Sequence, residues 1–211
     1  MPALLRLDCS PRGPEAHCWQ MADVLGERLA ELHPGLTTLR RALTETAPPF
    51  VDHGFARSMG QHTTPESARM VPALAMSETL IGELERTQLL LIATPMHNFT
   101  VPAALKAWID QVVRVGRTFK LTPEGKVGAL ADRPTFVVVS SGGYYTGAEA
   151  RQPDFLTPYL TAILATVGIT DLTFILLEGL TRGDEALARA RAKARSQIAG
   201  LTPPPSFLSR A

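Results

Sequence analysis

Five consecutive apolar residues, Leu89-Leu90-Leu91-Ile92-Ala93, run straight into Thr94-Pro95-Met96-His97-Asn98-Phe99. An apolar run without alternation fits a strand buried on both faces, the signature of a central strand in a parallel sheet. The loop leaving the C-terminal end of such a strand is where open α/β sheets bind ligands. The bland alternative is that Pro95 merely ends the strand, and the loop's residues alone do not separate the two. A helical pattern carrying Leu105, Trp108, Ile109, Val112 and Val113 on one face follows, with Pro102 near its start.

A strand of this kind needs parallel neighbours and crossover helices, and the rest of the chain supplies them. Ala3 to Asp8 reads as a first strand ending in the turn-rich Cys9-Ser10-Pro11-Arg12-Gly13-Pro14. Met21, Val24, Leu25, Leu29 and Leu32 then recur at helical spacing until His33-Pro34-Gly35 stops the pattern. Leu36 to Leu43 alternates weakly, as a strand nearer an edge would. Residues 44–64 show little periodicity and read as an irregular excursion, long for a compact domain. Thr64-Pro65-Glu66 has the hydroxyl, proline and acid of a helix start, and that helix is expected to run to about Leu84. Residues 118–130 can hold a small hairpin. Thr135 to Ser140 is a second unbroken strand, followed by Ser141-Gly142-Gly143-Tyr144-Tyr145. A helix over 158–167, a strand over 172–177 and a helix over 183–199 complete the pattern, and Pro203-Pro204-Pro205 cannot extend it. The expected fold is α/β: one flavodoxin-like domain over residues 1–211. Its doubly wound parallel sheet has five strands in the order 2-1-3-4-5 and helices on both faces, and residues 202–211 form a short proline-rich tail.

Composition narrows the partners. With 45% apolar and 19% charged residues among 211, the chain is of globular type. A net charge of +1 gives no global support for nucleic-acid or membrane-surface binding. No apolar run approaches the ~18 residues of a membrane span, and no signal peptide is evident. Cys9 and Cys18 lack CxxC spacing, so free thiols and a cytoplasmic location are expected. No metal site is expected. There is no G-x-G-x-x-G after the first strand and no G-x-x-x-x-G-K-[ST], which counts against a Rossmann dinucleotide site and a P-loop.

In a 2-1-3-4-5 sheet, strands one, three and four are neighbours, so the loops 9–18, 94–99 and 140–145 converge on one crevice. The first loop opens a helix, whose N-terminus favours an anion such as phosphate. Ser10 offers a hydroxyl and Arg12 a charge, and His17 and Cys18 lie at the helix start. Each also has a plain reading: Ser10 as a turn residue, Arg12 as a solvated charge, Cys18 as a small apolar residue. The other two loops are poor in charge. Met96, Phe99 and Tyr144 give apolar and aromatic surface, and the backbone at His97, Asn98, Gly142 and Gly143 gives hydrogen-bonding groups that approach a flat ligand closely. A planar heterocycle with polar edges and a phosphate tail suits this set, and FMN fits that description.

Pro95-Met96-His97-Asn98-Phe99 resembles the P-M-Y-N-F loop of the FMN-dependent NADH azoreductases, a branch of the flavodoxin-like quinone reductase superfamily. Ser140-Ser141-Gly142-Gly143 resembles their S-R-G-G, and Thr157-Pro158-Tyr159-Leu160 and Gly168-Ile169-Thr170-Asp171 resemble their T-P-Y-L and G-I-T-D. The four motifs come in order and the likeness covers nearly the whole chain. Two departures stand out. Where the family has S-x-S for the FMN phosphate, this chain has Ala16-His17-Cys18, and where it has tyrosine, this chain has His97.

The resemblance implies an FMN-dependent oxidoreductase acting by a ping-pong cycle. NADH or NADPH gives hydride to the flavin N5, and a quinone or azo compound then receives the electrons. The implied FMN contacts are Ser10, His17, Cys18, Pro95, Met96, His97, Asn98, Phe99, Ser140, Ser141, Gly142 and Gly143. Arg12 and His17 are the charges available to compensate the missing hydroxyls. His97 is the one candidate for proton transfer, against the plainer reading that it only packs at the loop. A homodimer is implied, with the face of Leu105, Trp108, Ile109 and Val112 divided between core and partner contact, and with the excursion bearing Phe50, Phe55 and His62 either as a cover for the partner's site or as a simple surface loop. The alternative is a flavodoxin-like electron carrier or FMN-binding module without NAD(P)H turnover of its own. The near-neutral charge weighs against a carrier, which relies on a strong field to meet its protein partner.

Overall fold

The computed structural model describes residues 2–59 and 71–202. The expected central strand is β3 (Leu89–Pro95), buried along its length until Pro95. It pairs in parallel with β1 (Ala3–Asp8) on one side and β6 (Thr135–Ser140) on the other. β2 (Thr37–Ala42) and β7 (Leu172–Leu177) flank these, and the sheet runs β2-β1-β3-β6-β7, all parallel. This is the expected 2-1-3-4-5 order. A two-stranded antiparallel hairpin, β4 (Phe119–Thr122) and β5 (Gly125–Gly128), stands apart from it.

The pleat sends alternate residues of each strand to opposite faces. Leu89, Leu91 and Ala93 join Phe136 and Val138 in one apolar layer, covered by α1 (His17–Leu32) and α6 (Asp184–Ala199). Leu90 and Ile92 join Val137 and Val139 in the other, covered by α3 (Ala75–Arg86), α4 (Ala103–Val112) and α5 (Thr157–Val167). Each large aliphatic side chain so buried contributes roughly 1.5–3 kcal/mol. Two covered layers explain why the strands read as apolar runs rather than as alternations. α5 ends at Gly168, whose φ of 103° only glycine adopts readily. A side chain on Gly128 would collide with the Gly168 backbone and one on Gly168 with the Leu130 carbonyl, and this close approach docks the hairpin on the end of α5.

Three expectations change. The excursion holds a short helix, α2 (His53–Met59), whose Phe55 is buried against Leu74. Its start is fixed by Asp52, whose carboxylate accepts the Phe55 amide hydrogen at 2.7 Å. The helix expected to reach Leu84 does not run through Val71. That residue is extended, Pro72 opens a single 3₁₀ turn, and α3 begins at Ala75. Proline removes the amide a continuing helix would need. Finally, Leu105, Trp108, Ile109 and Val112 are all at most 2% exposed within the chain itself, so this face is core and leaves nothing for a partner. The calls on Thr64-Pro65-Glu66, His62 and Pro203-Pro204-Pro205 fall outside the described residues. Among the described residues no helix is long and apolar enough to cross a membrane.

Candidate functional site

Strand order brings the three loops together, and hydrogen bonds tie them at their roots. The Cys9 amide donates to the Ala93 carbonyl at 2.9 Å and the Met96 amide to the Ser140 carbonyl at 2.8 Å. Gln152 Nε2 lies 3.3 Å from Met96 Sδ and donates to Ser141 Oγ at 3.2 Å. The three loops therefore form one crevice at the carboxyl end of the sheet, where a doubly wound fold binds its ligand.

The loop after β3 is a tight turn. His97 and Thr100 exchange both backbone hydrogen bonds, at 2.9 and 3.0 Å, and the central residues Asn98 and Phe99 have φ of 47° and 69°. Two successive positive φ values are those of a type I′ turn, unusual for a phenylalanine. The conformation turns the Asn98 and Phe99 amides away from the chain's own acceptors, and Phe99 remains 44% exposed. Across the crevice, Glu178 grips the loop after β6. Its carboxylate accepts the Tyr145 and Thr146 amides at 2.8 and 2.9 Å and the Thr146 hydroxyl at 2.6 Å. Gly179, with φ of 72°, lies under the Tyr144 ring, where a Cβ would come within 2.3 Å of it.

Within the described chain, five amides of these loops find no acceptor: those of Asn98, Phe99, Gly142, Gly143 and Tyr144. Donors without partners, beside Met96, Phe99 and Tyr144, match a flat ring whose edge carries carbonyl oxygens. The glycines have a second reason to be glycine. A Cβ on Gly143 would lie 2.7 Å from Gln152 Oε1, and one on Gly142 would lie 3.0 Å from the Thr181 methyl.

The first loop is shaped by Ser10, which is 3% exposed. Its hydroxyl accepts the Arg12 amide at 3.2 Å and its carbonyl accepts the Gly13 amide and the Thr44 hydroxyl. α1 then starts at His17 with Ala16 as an N-cap that has no side-chain acceptor. Cys18 turns inward and is fully buried in the α1 layer. Burial raises its pKa, and burial likewise lifts Cys9 well above the ordinary thiol range. Neither thiol is a nucleophile at neutral pH. His17 stays at the surface with Nδ1 facing Arg191 at 3.1 Å, and its pKa is lowered by burial and then by the charges of Arg191 and Arg12. Beneath the loop, Asp8 is fully buried but paired with Arg6 at 3.0 Å and Arg40 at 2.6 Å, so its charge does not oppose an anion above it.

The sequence-derived residues therefore divide in two. Met96, His97, Asn98, Phe99, Gly142, Gly143 and His17 line the open crevice. Ser10, Cys18, Ser140 and Ser141 are buried and shape it from within, offering backbone rather than side chains, while Pro95 ends β3. The His97 ring is exposed and makes no hydrogen bond among the described residues. Sequence reading did not find Arg191 or Gln152, which come from distant segments, nor Glu178, whose role is to hold the loop. A separate concavity of about 420 Å³ lies between Tyr144, Thr146, β7 and α6, with Glu149, Glu178, Arg189 and Lys193 on its walls. Among the described residues no cluster of His, Cys, Asp or Glu could hold a metal ion.

Comparison with known proteins agrees with this geometry. A family model described as flavodoxin-like fold matches residues 2–201. FMN-dependent NADH:quinone oxidoreductase 4 of Pseudomonas fluorescens is 50% identical over 198 residues, 94% of each chain. FMN-dependent NADH:quinone oxidoreductase 5 of Burkholderia lata is 48% identical over 191 residues, 90% of this chain and 92% of that one. Among solved structures, an azoreductase from Bacillus anthracis superposes with a TM-score of 0.81 at 23% identity, over 94% of this chain and 97% of the other. A Bacillus anthracis FMN-dependent NADH-azoreductase in complex with FMN gives 0.77 at 24%, over 94% and 98%. At these identities the solved structures speak for the fold, and the curated relatives speak for the family.

Proposed function

The chain belongs to the flavodoxin-like family of FMN-dependent NADH:quinone oxidoreductases, and from that premise we propose that it oxidises NADH or NADPH and reduces a quinone or an azo compound with FMN held in the crevice. The observation that carries this reading is the set of five unpartnered amides on two facing loops, beside a helix start flanked by arginines. When bound, FMN would supply the redox chemistry, hydride acceptance at N5 and electron release to the acceptor in a ping-pong order.

The residues bind, orient and stabilise. The amides of Gly142, Gly143 and Tyr144 donate toward the carbonyl edge of the ring, where negative charge grows on reduction. Met96 and Phe99 supply apolar surface against its face. The Asn98 and Phe99 amides are held ready by the turn, so the ordering cost is met in folding rather than in binding. The loop 9–18 and the start of α1 take the phosphate, with Ser10 fixing the loop's path. His97, exposed at the rim, is placed to meet the substrate rather than to hold the cofactor.

The reading includes a homodimer in the cytoplasm. Phe50, Phe99 and Phe155 are 79%, 44% and 59% exposed, more aromatic surface than a monomer usually leaves to water. Light scattering on the purified protein tests this: twice the 22.8 kDa chain mass is expected, and a monomer at micromolar concentration would remove the dimer. For the reaction, NADH oxidation is followed at several fixed quinone concentrations. Parallel double-reciprocal lines are expected, with turnover requiring FMN. Intersecting lines would refute the ping-pong order, and absence of turnover with quinones and azo dyes alike would refute the activity.

A further inference from the structure

Where the resembled S-x-S motif has two hydroxyls this chain has Ala16 and Cys18, and a guanidinium from a distant helix lies beside the same loop. α6 packs on α1 through Ala194 and Ile198. From the next turn Arg191 reaches the start of α1, where Nη2 donates to Gln20 Oε1 at 2.7 Å and faces His17 Nδ1 at 3.1 Å. A guanidinium only donates, so Nδ1 is the acceptor and the neutral ring carries its proton on Nε2, as a donor to the outside. Both neighbours of Arg191 are neutral. Neither Arg191 nor Arg12 forms an ion pair among the described residues, although ten pairs elsewhere employ other cations. The remaining nitrogens of Arg191, Nη1 and Nε, have no hydrogen-bond partner there.

Resting on the FMN reading above, we propose that Arg191 is a phosphate-binding residue of the cofactor site, held over the start of α1 by Gln20 and His17 so that its two free nitrogens meet the dianionic phosphate. A guanidinium presents parallel donors that match phosphate oxygens two at a time. Ala16 offers no hydroxyl and Cys18 is buried, so Arg191 with Arg12 and the His17 Nε2 proton replaces an uncharged set of donors by a charged one. The bland alternative is a strut between α1 and α6 that never touches ligand.

The test compares FMN with riboflavin, which has the same ring and no phosphate. Flavin-free protein is titrated with each, following quenching of flavin fluorescence, for the parent, Arg191→Gln and Arg191→Lys. A charge-assisted contact predicts that Arg191→Gln weakens FMN by about tenfold or more while riboflavin changes by less than about twofold. Arg191→Lys should recover part of the loss, and the salt dependence of FMN affinity should flatten in Arg191→Gln. Equal weakening of both flavins would show a strut, and unchanged FMN affinity would show a bystander; either overturns the proposal. A parent protein that binds neither flavin would instead overturn the FMN reading beneath it.

Discussion

The Met96 amide donates to the Ser140 carbonyl across 2.8 Å, so the loops that leave β3 and β6 share a common root. From that root one loop turns through Asn98 and Phe99 and the other through Gly142 and Gly143. The crevice is thus a property of the sheet's register, Pro95 beside Ser140, more than of any one loop residue.

The turn at 97–100 should tolerate glycine and reject branching. Asn98 sits at φ 47°, a region open to glycine and asparagine and costly for a β-branched residue. Asn98→Gly should leave urea stability within about 0.5 kcal/mol, whereas Asn98→Val should cost about 1–2 kcal/mol. Equal stabilities would contradict the turn assignment.

Restoring the missing hydroxyls should not act equally at the two positions. Ala16 is the N-cap of α1, and Ala16→Ser should raise stability by about 1 kcal/mol in thermal or urea melts. Cys18→Ser puts a hydroxyl in the core and should lower stability without improving FMN affinity. A gain in FMN affinity from Cys18→Ser would show that residue 18 faces the ligand after all.

Trp108 belongs wholly to the core and its indole Nε1 has no partner among the described residues. Trp108→Ala should therefore cost about 3–5 kcal/mol. Trp108→Phe should cost much less, since no hydrogen bond is lost with the indole. Similar costs for the two would point to an unseen bond at Nε1.

His17 should titrate below its ordinary value of 6.5, through burial and the charges of Arg191 and Arg12. A lowered pKa means that the folded chain binds the proton more weakly than the unfolded one. The histidine then costs nothing above about pH 6.5 and destabilises the fold as pH falls through that value. NMR titration of the flavin-free protein should find this shift, reduced in Arg191→Gln. A His17 pKa at or above 6.5 would contradict the contact.

How much of this was legible follows from burial and from chain distance. β1 and β6 have the bounds expected from sequence because both faces of their runs are covered, so composition alone marks them; β7, at the sheet edge and fully buried only at Ile175 and Leu177, has them through its unbroken run of apolar and β-branched residues. α2 was missed because seven residues carry only one buried apolar side chain, Phe55, and give no period to read. The helix expected to reach Leu84 is shorter because Pro72 has no amide to continue a helical turn, while the apolar spacing beyond it is helical only from Ala75. In the site, the turn residues were readable because local chemistry sets them. Arg191 was not: it lies 174 residues from His17, in a helix whose many arginines look alike until α6 is packed on α1. Cys18 was read as facing the ligand, although its spacing from Met21, Leu25 and Leu29 places it on the buried side of α1.

The central claim is that this crevice holds FMN in a form that NADH reduces. The direct test is the absorption spectrum of purified protein incubated with FMN and desalted, then given NADH without oxygen. Flavin bands should survive desalting and bleach on addition of NADH, and a quinone or azo dye should restore them. Loss of the bands on desalting, or retained bands that NADH leaves unchanged, would contradict the account.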